Sequence, residues 1–528
     1  MARQSLGQLD GRSFDVAVVG AGLNGISAAQ HLAADGYTVL LVDKGDFCSG
    51  SSSRSSRMLS CGIRYLAPGT TMGEFFKKPH TLLAALKMAR QAMRTRSQFV
   101  NATPEHVRPL QFAFPIYNHD PYKPWQVRLA FKTLEWLGPG DVPIDFRIAP
   151  RAEAVRLPLL SWMRDHEHMI GAGLFREYHF DWPERVAMDS VLDAERMGAV
   201  VRNYTPVTGL RRETDGRWRL TLADGVGNGA EATVHAKVVL NMAGIWIDRV
   251  NGLAGGAAGR KICGTKGVHV AVRLPPECKY RGVMGHNREH EHLYCFPWRD
   301  LHYFGPTETL YEGDIDDIYA TDDDIDWLLG EINYLFPSIN LKRSDILFSW
   351  AGVRPLTYDP RYPKGARDRV VHDLEKEGMP NVLAMTAGPI MTHRSAGSEL
   401  LAAVKERVQP SGSARPISYA ARRFPENQNS PPLLTHWTDA KLSDVKHVAE
   451  TEYPVTLVDV IRRVGAQWTA TMGYEAAEAA AAAAAPALGW DQARIAREVE
   501  AYRLYLARTH RVGPNGLLPS GVREAGSN

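Results

Sequence analysis

Apolar residues in this chain are spaced in three ways: in continuous runs, in alternation, and at helical intervals. Residues 16–19 are a continuous run that meets Gly20, Ala21, Gly22, Leu23, Asn24 and Gly25. A helical pattern follows, and a second apolar run over 38–42 closes on Asp43. Residues 79–100 carry a helical period with a basic face of Lys87, Arg90, Arg94 and Arg96. Residues 123–137 predict a second amphipathic helix, in which Trp125, Phe131 and Trp136 stand beside Lys123, Arg128 and Lys132. The spacing over 187–198 is helical, 216–222 alternates as a strand does, and 232–244 ends in a nearly continuous apolar run that stops at Ala243 and Gly244. Between about 262 and 350 the runs are short and β-like (268–272, 292–296, 301–304), interrupted by acidic turns and one helix at 322–336. A further apolar strand, 381–388, ends in Gly388 and leads to a helix at 396–408. Residues 409–433 are rich in Pro, Ser and Asn and read as a linker. From 441 the chain is helical, with an alanine run at 475–485 that Pro486 is expected to stop, a helix at 491–509 and a loose tail from 513.

The run from 14 to 43 has chemical content. Strand, glycines, helix, strand and acid follow at the spacing of a βαβ dinucleotide fingerprint. Gly20 serves the tight turn, Gly22 lets backbone approach a pyrophosphate, and Gly25 lets the helix pack on the strand. The helix N-terminus turns free N–H groups toward phosphate, and Asp43 is placed to accept from a ribose. The loop after it, Ser49 to Arg57, has a linker's composition, but its position beside a nucleotide offers hydroxyls, backbone N–H groups and two arginines to phosphate oxygens and a flavin edge.

Bulk properties narrow the class. At 528 residues two or three domains are expected. A net charge of +3 and a pI near 8.5 are too mild to imply nucleic acid, and no metal is expected. Five scattered cysteines without a CxxC pair argue against a disulfide framework and for a reducing, cytoplasmic setting. The polar N-terminus carries no secretory h-region, and no apolar window reaches membrane-spanning length.

With these motifs in order, the chain resembles the FAD-dependent glycerol-3-phosphate dehydrogenase family as a divergent member. The resemblance rests on the glycine turn with Asp43, the serine loop running into Gly62, Ile63, Arg64, Tyr65 and Leu66, and 107–110 before an FxFP segment. It continues through 241–244, 266–269, 305–308 with 311–314, 352–356, 367–371, and Ala387 and Gly388 with Thr392 and Arg394. It implies an α/β fold: a Rossmann-like FAD-binding domain (about 14–75, 185–260 and 350–408), an antiparallel substrate-covering sheet (about 76–184 and 261–349), and a C-terminal helical cap at 434–512. It further implies oxidation of the secondary alcohol of glycerol 3-phosphate or a related polyol phosphate by hydride transfer to flavin N5. Electrons would pass to quinone or another acceptor, in a homodimer lying against the inner face of the cytoplasmic membrane.

The cofactor contacts so implied are Gly20, Gly22, Asn24, Gly25, Asp43, Lys44, Ser52, Ser53, Ser56, Arg57, Gly62, Val207, Ala243, Gly244, Gly388 and Thr392. Substrate contacts are Arg64, Tyr65, Arg354, Arg367 and Thr392. A phosphate dianion calls for planar bidentate donors, hence arginine rather than lysine. Removing the carbinol proton needs a base; His269 is the candidate because its ordinary pKa lies near neutrality, and Arg354 would steady the alkoxide. Two departures stand beside the chemistry: Ser60 and Cys61 replace a His-Gly before Gly62, and Pro389 replaces a lysine. Two other readings stay open. The scaffold also suits an oxidase or dehydrogenase of an amino acid, amine or hydroxy acid, since Arg64 and Tyr65 bind a carboxylate as readily; a flavin-binding subunit with altered catalysis is the third.

Overall fold

A computed structural model describes residues 3–66, 79–227, 229–256, 258–513 and 516–517. The first apolar run is strand β1 (Ser13–Val19), buried from Phe14 onward, and the second is β2 (Val39–Val42), buried throughout. Helix α1 (Leu23–Ala34) joins them. A parallel layer runs in the order Val382–Thr386, Glu231–Asn241, β1, β2, Val200–Arg202. Strands buried on both faces explain why these runs do not alternate. Val370–Asp373 adds an antiparallel edge, and the hairpin Val207–Arg212/Trp218–Ala223 pairs with the first half of Glu231–Asn241. One face is covered by α1, Pro183–Arg196 and His393–Lys405. Gly397 lets two of these helices meet: a Cβ there would lie 2.5 Å from Ser27 Oγ.

The second sheet is antiparallel apart from one parallel pairing, Arg281–His286 with Val107–Tyr117. Its long ladders are Ile262–Val272 with Ile346–Thr357, in a register that sets Thr265 opposite Arg354 and His269 opposite Trp350, and Val107–Tyr117 with Met169–Phe180. Two expected boundaries shift. Ile346–Thr357 pairs in this sheet along its whole length, so the border drawn at 350 falls inside a strand. Met58–Leu59, drawn with the nucleotide domain, pairs with Tyr178 and His179 of the second sheet.

The C-terminal helices Leu442–Thr451, Leu457–Arg463, Ala477–Leu488 and Gln492–Tyr505 share one core with the second sheet, in which Trp468 meets Trp298 and Trp350 at ring separations of 5.3 and 5.8 Å. The alanine helix runs past Pro486 to Leu488 and closes on Gly489 at φ +65°. Proline removes one N–H in the last turn, too late to end the helix, and the left-handed glycine ends it instead. Residues 409–433 have almost no regular structure, yet they are strapped to the nucleotide domain: Gly412 N and Arg415 N donate to Gly36 O and Ala34 O, and Gln30 Nε2 donates to Ser418 O. The expected loose tail lies largely outside the described residues, apart from a short pairing of Val512–Gly513 with Gly516–Leu517. All five cysteines are buried and unpaired.

Candidate functional site

A cavity of about 1710 Å³ opens at the C-terminal ends of β1, β2 and Glu231–Asn241, where ligands bind in open α/β sheets. The second sheet roofs it, and Pro79–Ala102 and the C-terminal helices wall its sides.

At one end Gly20, Gly22, Asn24 and Gly25 line the cavity at the N-terminus of α1. The turn admits only glycine at two places. Gly20 has φ +107°, and a Cβ on Gly25 would sit 2.0 Å from Gly20 O. Ser52 Oγ accepts from Leu23 N, docking the serine loop on the same helix end. Asp43 accepts from Ala21 N (2.6 Å) on one oxygen and Gly45 N (2.8 Å) on the other, which leaves lone pairs on both for a hydroxyl in the cavity. Burial lifts its pKa to about 6 against those two bonds. Lys44 lines this end too, but is engaged with Asp316 and stacked 4.0 Å from the Trp246 ring. Val207, Ala243 and Gly244 complete the wall.

The serine loop corrects two expectations. Ser53 does not line the cavity; it is buried and its hydroxyl donates to Gly50 O. Arg57 adopts φ +52°, and its fully buried guanidinium binds Glu184 (2.8 Å) between the rings of Trp298 and Trp468. It ties the loop to Pro183–Arg196 and to Trp468 of the C-terminal region, so its charge is paired with Glu184 although the residue borders the cavity. Ser56 lines the cavity and meets His269 Nε2 at 3.0 Å.

The middle and far end gather Gly62, Arg64, Tyr65, His269, Arg354, Arg367, Gly388, Pro389 and Thr392. Arg354 sits on Gly267, where a Cβ would come within 2.5 Å of its Nη2. That nitrogen donates to Thr307 O, while Nη1 is buried with no hydrogen-bond partner among the described residues. Burial, with the charges of Arg367 and Arg64, draws its pKa down to about 10 against the pull of Glu308. Glu308 itself pairs with Arg367. The Thr392 hydroxyl is occupied, donating to Pro389 O and accepting from Arg369. His269 is 1% exposed and stacks at 4.6 Å on Trp350. Burial and the cations of Arg354 and Arg57 hold its pKa well below the usual value, so it is neutral but a poor proton acceptor. That environment argues against the role of base expected for it.

Several groups at this site escaped the sequence reading. Arg369, bonded to Glu399, Thr392 and Ser395, lines the far end beside Gln91. Asp459, Arg462 and Tyr505 bring the C-terminal helices to the wall, where Asp459 accepts from Tyr204. Ser60, noted only as a departure, lines the cavity with Glu177 behind it. Ser60 meets Glu177 and Tyr204 meets Asp459 across more than a hundred residues, Arg369 reaches its partners across 23 to 30, and no local pattern announces any of them.

Comparison with known proteins gives four matches. The family described as FAD dependent oxidoreductase (DAO) matches residues 15–397. A glycerol-3-phosphate dehydrogenase of Synechocystis sp. is 26% identical, over 94% of this chain and 97% of its own length. A D-erythritol 1-phosphate dehydrogenase of Brucella abortus is 29% identical, over 72% and 71%. Among solved structures, the glycerol-3-phosphate dehydrogenase of Bacillus halodurans complexed with FAD has the same fold, with a TM-score of 0.70 at 19% identity over 96% of each chain.

Proposed function

The chain belongs to the family of FAD-dependent oxidoreductases, and we propose that within it the protein oxidises the secondary alcohol of glycerol 3-phosphate or a related polyol phosphate. Its cofactor is FAD, and the cavity suits that group: a glycine turn in which a Cβ on Gly20 or Gly25 would strike backbone, followed by an acid with free lone pairs. Gly20, Gly22, Asn24 and Gly25 would hold the pyrophosphate, Asp43 the ribose, and Ser52, Ser56, Gly62, Ala243, Gly244 and Gly388 would border the rest. When bound, FAD supplies a two-electron acceptor for a carbinol C–H bond.

The observation that carries the substrate reading is Arg354. A half-buried arginine whose Nη1 is itself buried and unpartnered among the described residues, its pKa lowered among further arginines, calls for an anion. Arg64 and Arg367 would share that anion with it, and Tyr65 adds a hydroxyl. Arg64, Arg354 and Arg367 line this end with Asp368, and Glu308 pairs with Arg367; the cations still outnumber the carboxylates, which suits a phosphate dianion better than a single carboxylate. The names of the Synechocystis and Brucella relatives support a polyol phosphate and leave its length to experiment.

For electron exit we infer a membrane quinone. On Pro124–Leu137, Phe131 and Leu134 are buried, while Trp125 (64%), Leu129 (47%) and Trp136 (80%) are exposed in line with Arg128 and Lys132. Aromatic and cationic side chains on one helix face suit a lipid interface.

The test is anaerobic addition of a panel of polyol phosphates and amino acids to the holoenzyme, followed by the visible band of the oxidised flavin. Bleaching by a polyol phosphate is the expected result. Bleaching by an amino acid alone would transfer the site to carboxylate chemistry.

A further inference from the structure

Alcohol oxidation requires a proton acceptor at the reacting hydroxyl, and His269 is a poor one. The cavity wall offers another route. Ser60 is half-buried and lines the cavity. Its Oγ accepts from Gly62 N at 3.0 Å and donates to Glu177 Oε1 at 3.3 Å. A serine hydroxyl has one proton to give and two lone pairs. The proton is committed to Glu177 and one lone pair to Gly62, so a group in the cavity meets the second lone pair and must donate to it. Glu177 is 1% exposed and does not itself line the cavity.

We propose that Ser60 and Glu177 form a proton relay for the substrate hydroxyl, with Ser60 touching the substrate and Glu177 acting through it. This rests on the polyol phosphate reading. The carbinol O–H bond breaks, and its electrons become the second bond of the carbonyl. The proton passes to Ser60 Oγ as the Ser60 proton passes to Glu177 Oε1, and the carbinol C–H hydrogen would leave with its electron pair, as hydride, to the two-electron acceptor that FAD supplies when bound. After the ketone departs, the proton returns through Ser60 to solvent.

The surroundings of Glu177 suit a group that takes and releases a proton near neutrality. Cys61 N donates to both of its oxygens, at 3.0 and 2.9 Å, so the carboxylate has bonded partners when charged. Facing it are the Cys61 thiol, the Arg96 guanidinium from Pro79–Ala102 and the Tyr294 phenol from His292–Trp298. Arg96 Nη1 and Nη2 are engaged with the carbonyls of Val142, Pro143 and Arg176, so its charge is shared rather than spent in an ion pair. The balance of burial against these partners leaves the carboxyl near pH 7.

Glu177 also ties down the loop at Cys61, so the test must separate relay from scaffold. The holoenzyme would be compared with Ser60→Ala, Ser60→Thr and Glu177→Gln in two measurements. Infrared difference spectra across a pH titration should show a protonated carboxyl band that grows in near neutrality, persists in Ser60→Ala and is absent from Glu177→Gln. Anaerobic flavin reduction by the polyol phosphate that bleaches the wild type should rise with pH to a plateau above about 7. It should fall about 10²-fold in Ser60→Ala and Glu177→Gln with loss of that pH limb, and recover in Ser60→Thr, with bound FAD unchanged in Ser60→Ala. A carboxyl band confined to the ordinary acidic range overturns the relay while leaving the substrate reading intact. So does a Ser60→Ala enzyme that keeps the wild-type rate and pH limb. If no polyol phosphate bleaches the wild type, both fall.

Discussion

Arg354 and Glu177 are opposite cases of a charged group under burial. Arg354 keeps an unpartnered donor and is held charged among other cations, a state that an incoming anion relieves. Replacing it with Ala should therefore weaken polyol phosphate binding and flavin reduction together, by about 2–4 kcal/mol in kcat/KM. Lysine should restore only part of this, because it lacks the planar fork. Stopped-flow reduction rates across substrate concentration would check both. Glu177 is raised from 4.5 to about 7, a difference of about 3 kcal/mol. The folded protein holds this proton more tightly than the unfolded chain does. The burial penalty is therefore full above pH 7 and fades as pH falls toward 4.5. In thermal melts at a series of pH values, the Tm of Glu177→Gln relative to wild type should be highest above neutrality and decline steadily between pH 7 and 5.

At the scale of elements, the turn from β1 into α1 is the part most fully written in the local sequence. Its glycines stand where backbone would collide with any Cβ, and the strands on either side are apolar because both their faces are covered. Gly25→Ala should yield protein with little or no bound FAD, read from the ratio of flavin to protein absorbance after purification. The serine loop was legible as a place but not residue by residue. Composition cannot tell that Arg57 turns to Glu184, 127 residues on, or that Ser53 bonds its own loop. Pro486 likewise read as a stop, because the capping glycine that ends the helix lies beyond it. His269 was chosen for an ordinary pKa near neutrality; its burial against Trp350 depends on a cross-strand register that the sequence does not display.

In the whole molecule, the C-terminal helices line part of the cavity. Arg463 binds Asp46, on the loop that follows Asp43, at 2.6 and 2.7 Å, and Asp46 is 3% exposed. Removing one partner of such a buried pair is expected to destabilise the protein by about 3–5 kcal/mol. Asp46→Ala should show this as a lower Tm with early FAD release, followed by flavin fluorescence. The exposed aromatic face of Pro124–Leu137 belongs to the same scale. Sedimentation with anionic vesicles at low salt should fall clearly when Trp125 and Trp136 are both changed to Ser, with flavin reduction unaltered. How the parts assemble followed from motif order along the chain; which side chains face one another across the cavity followed from packing alone. The most direct test of the central claim is anaerobic flavin reduction by a polyol phosphate set beside the same polyol without its phosphate. The arginine cluster predicts reduction by the phosphate ester at a kcat/KM at least about 10³-fold higher, the scale of about 4 kcal/mol. Equal reduction by both compounds would contradict it.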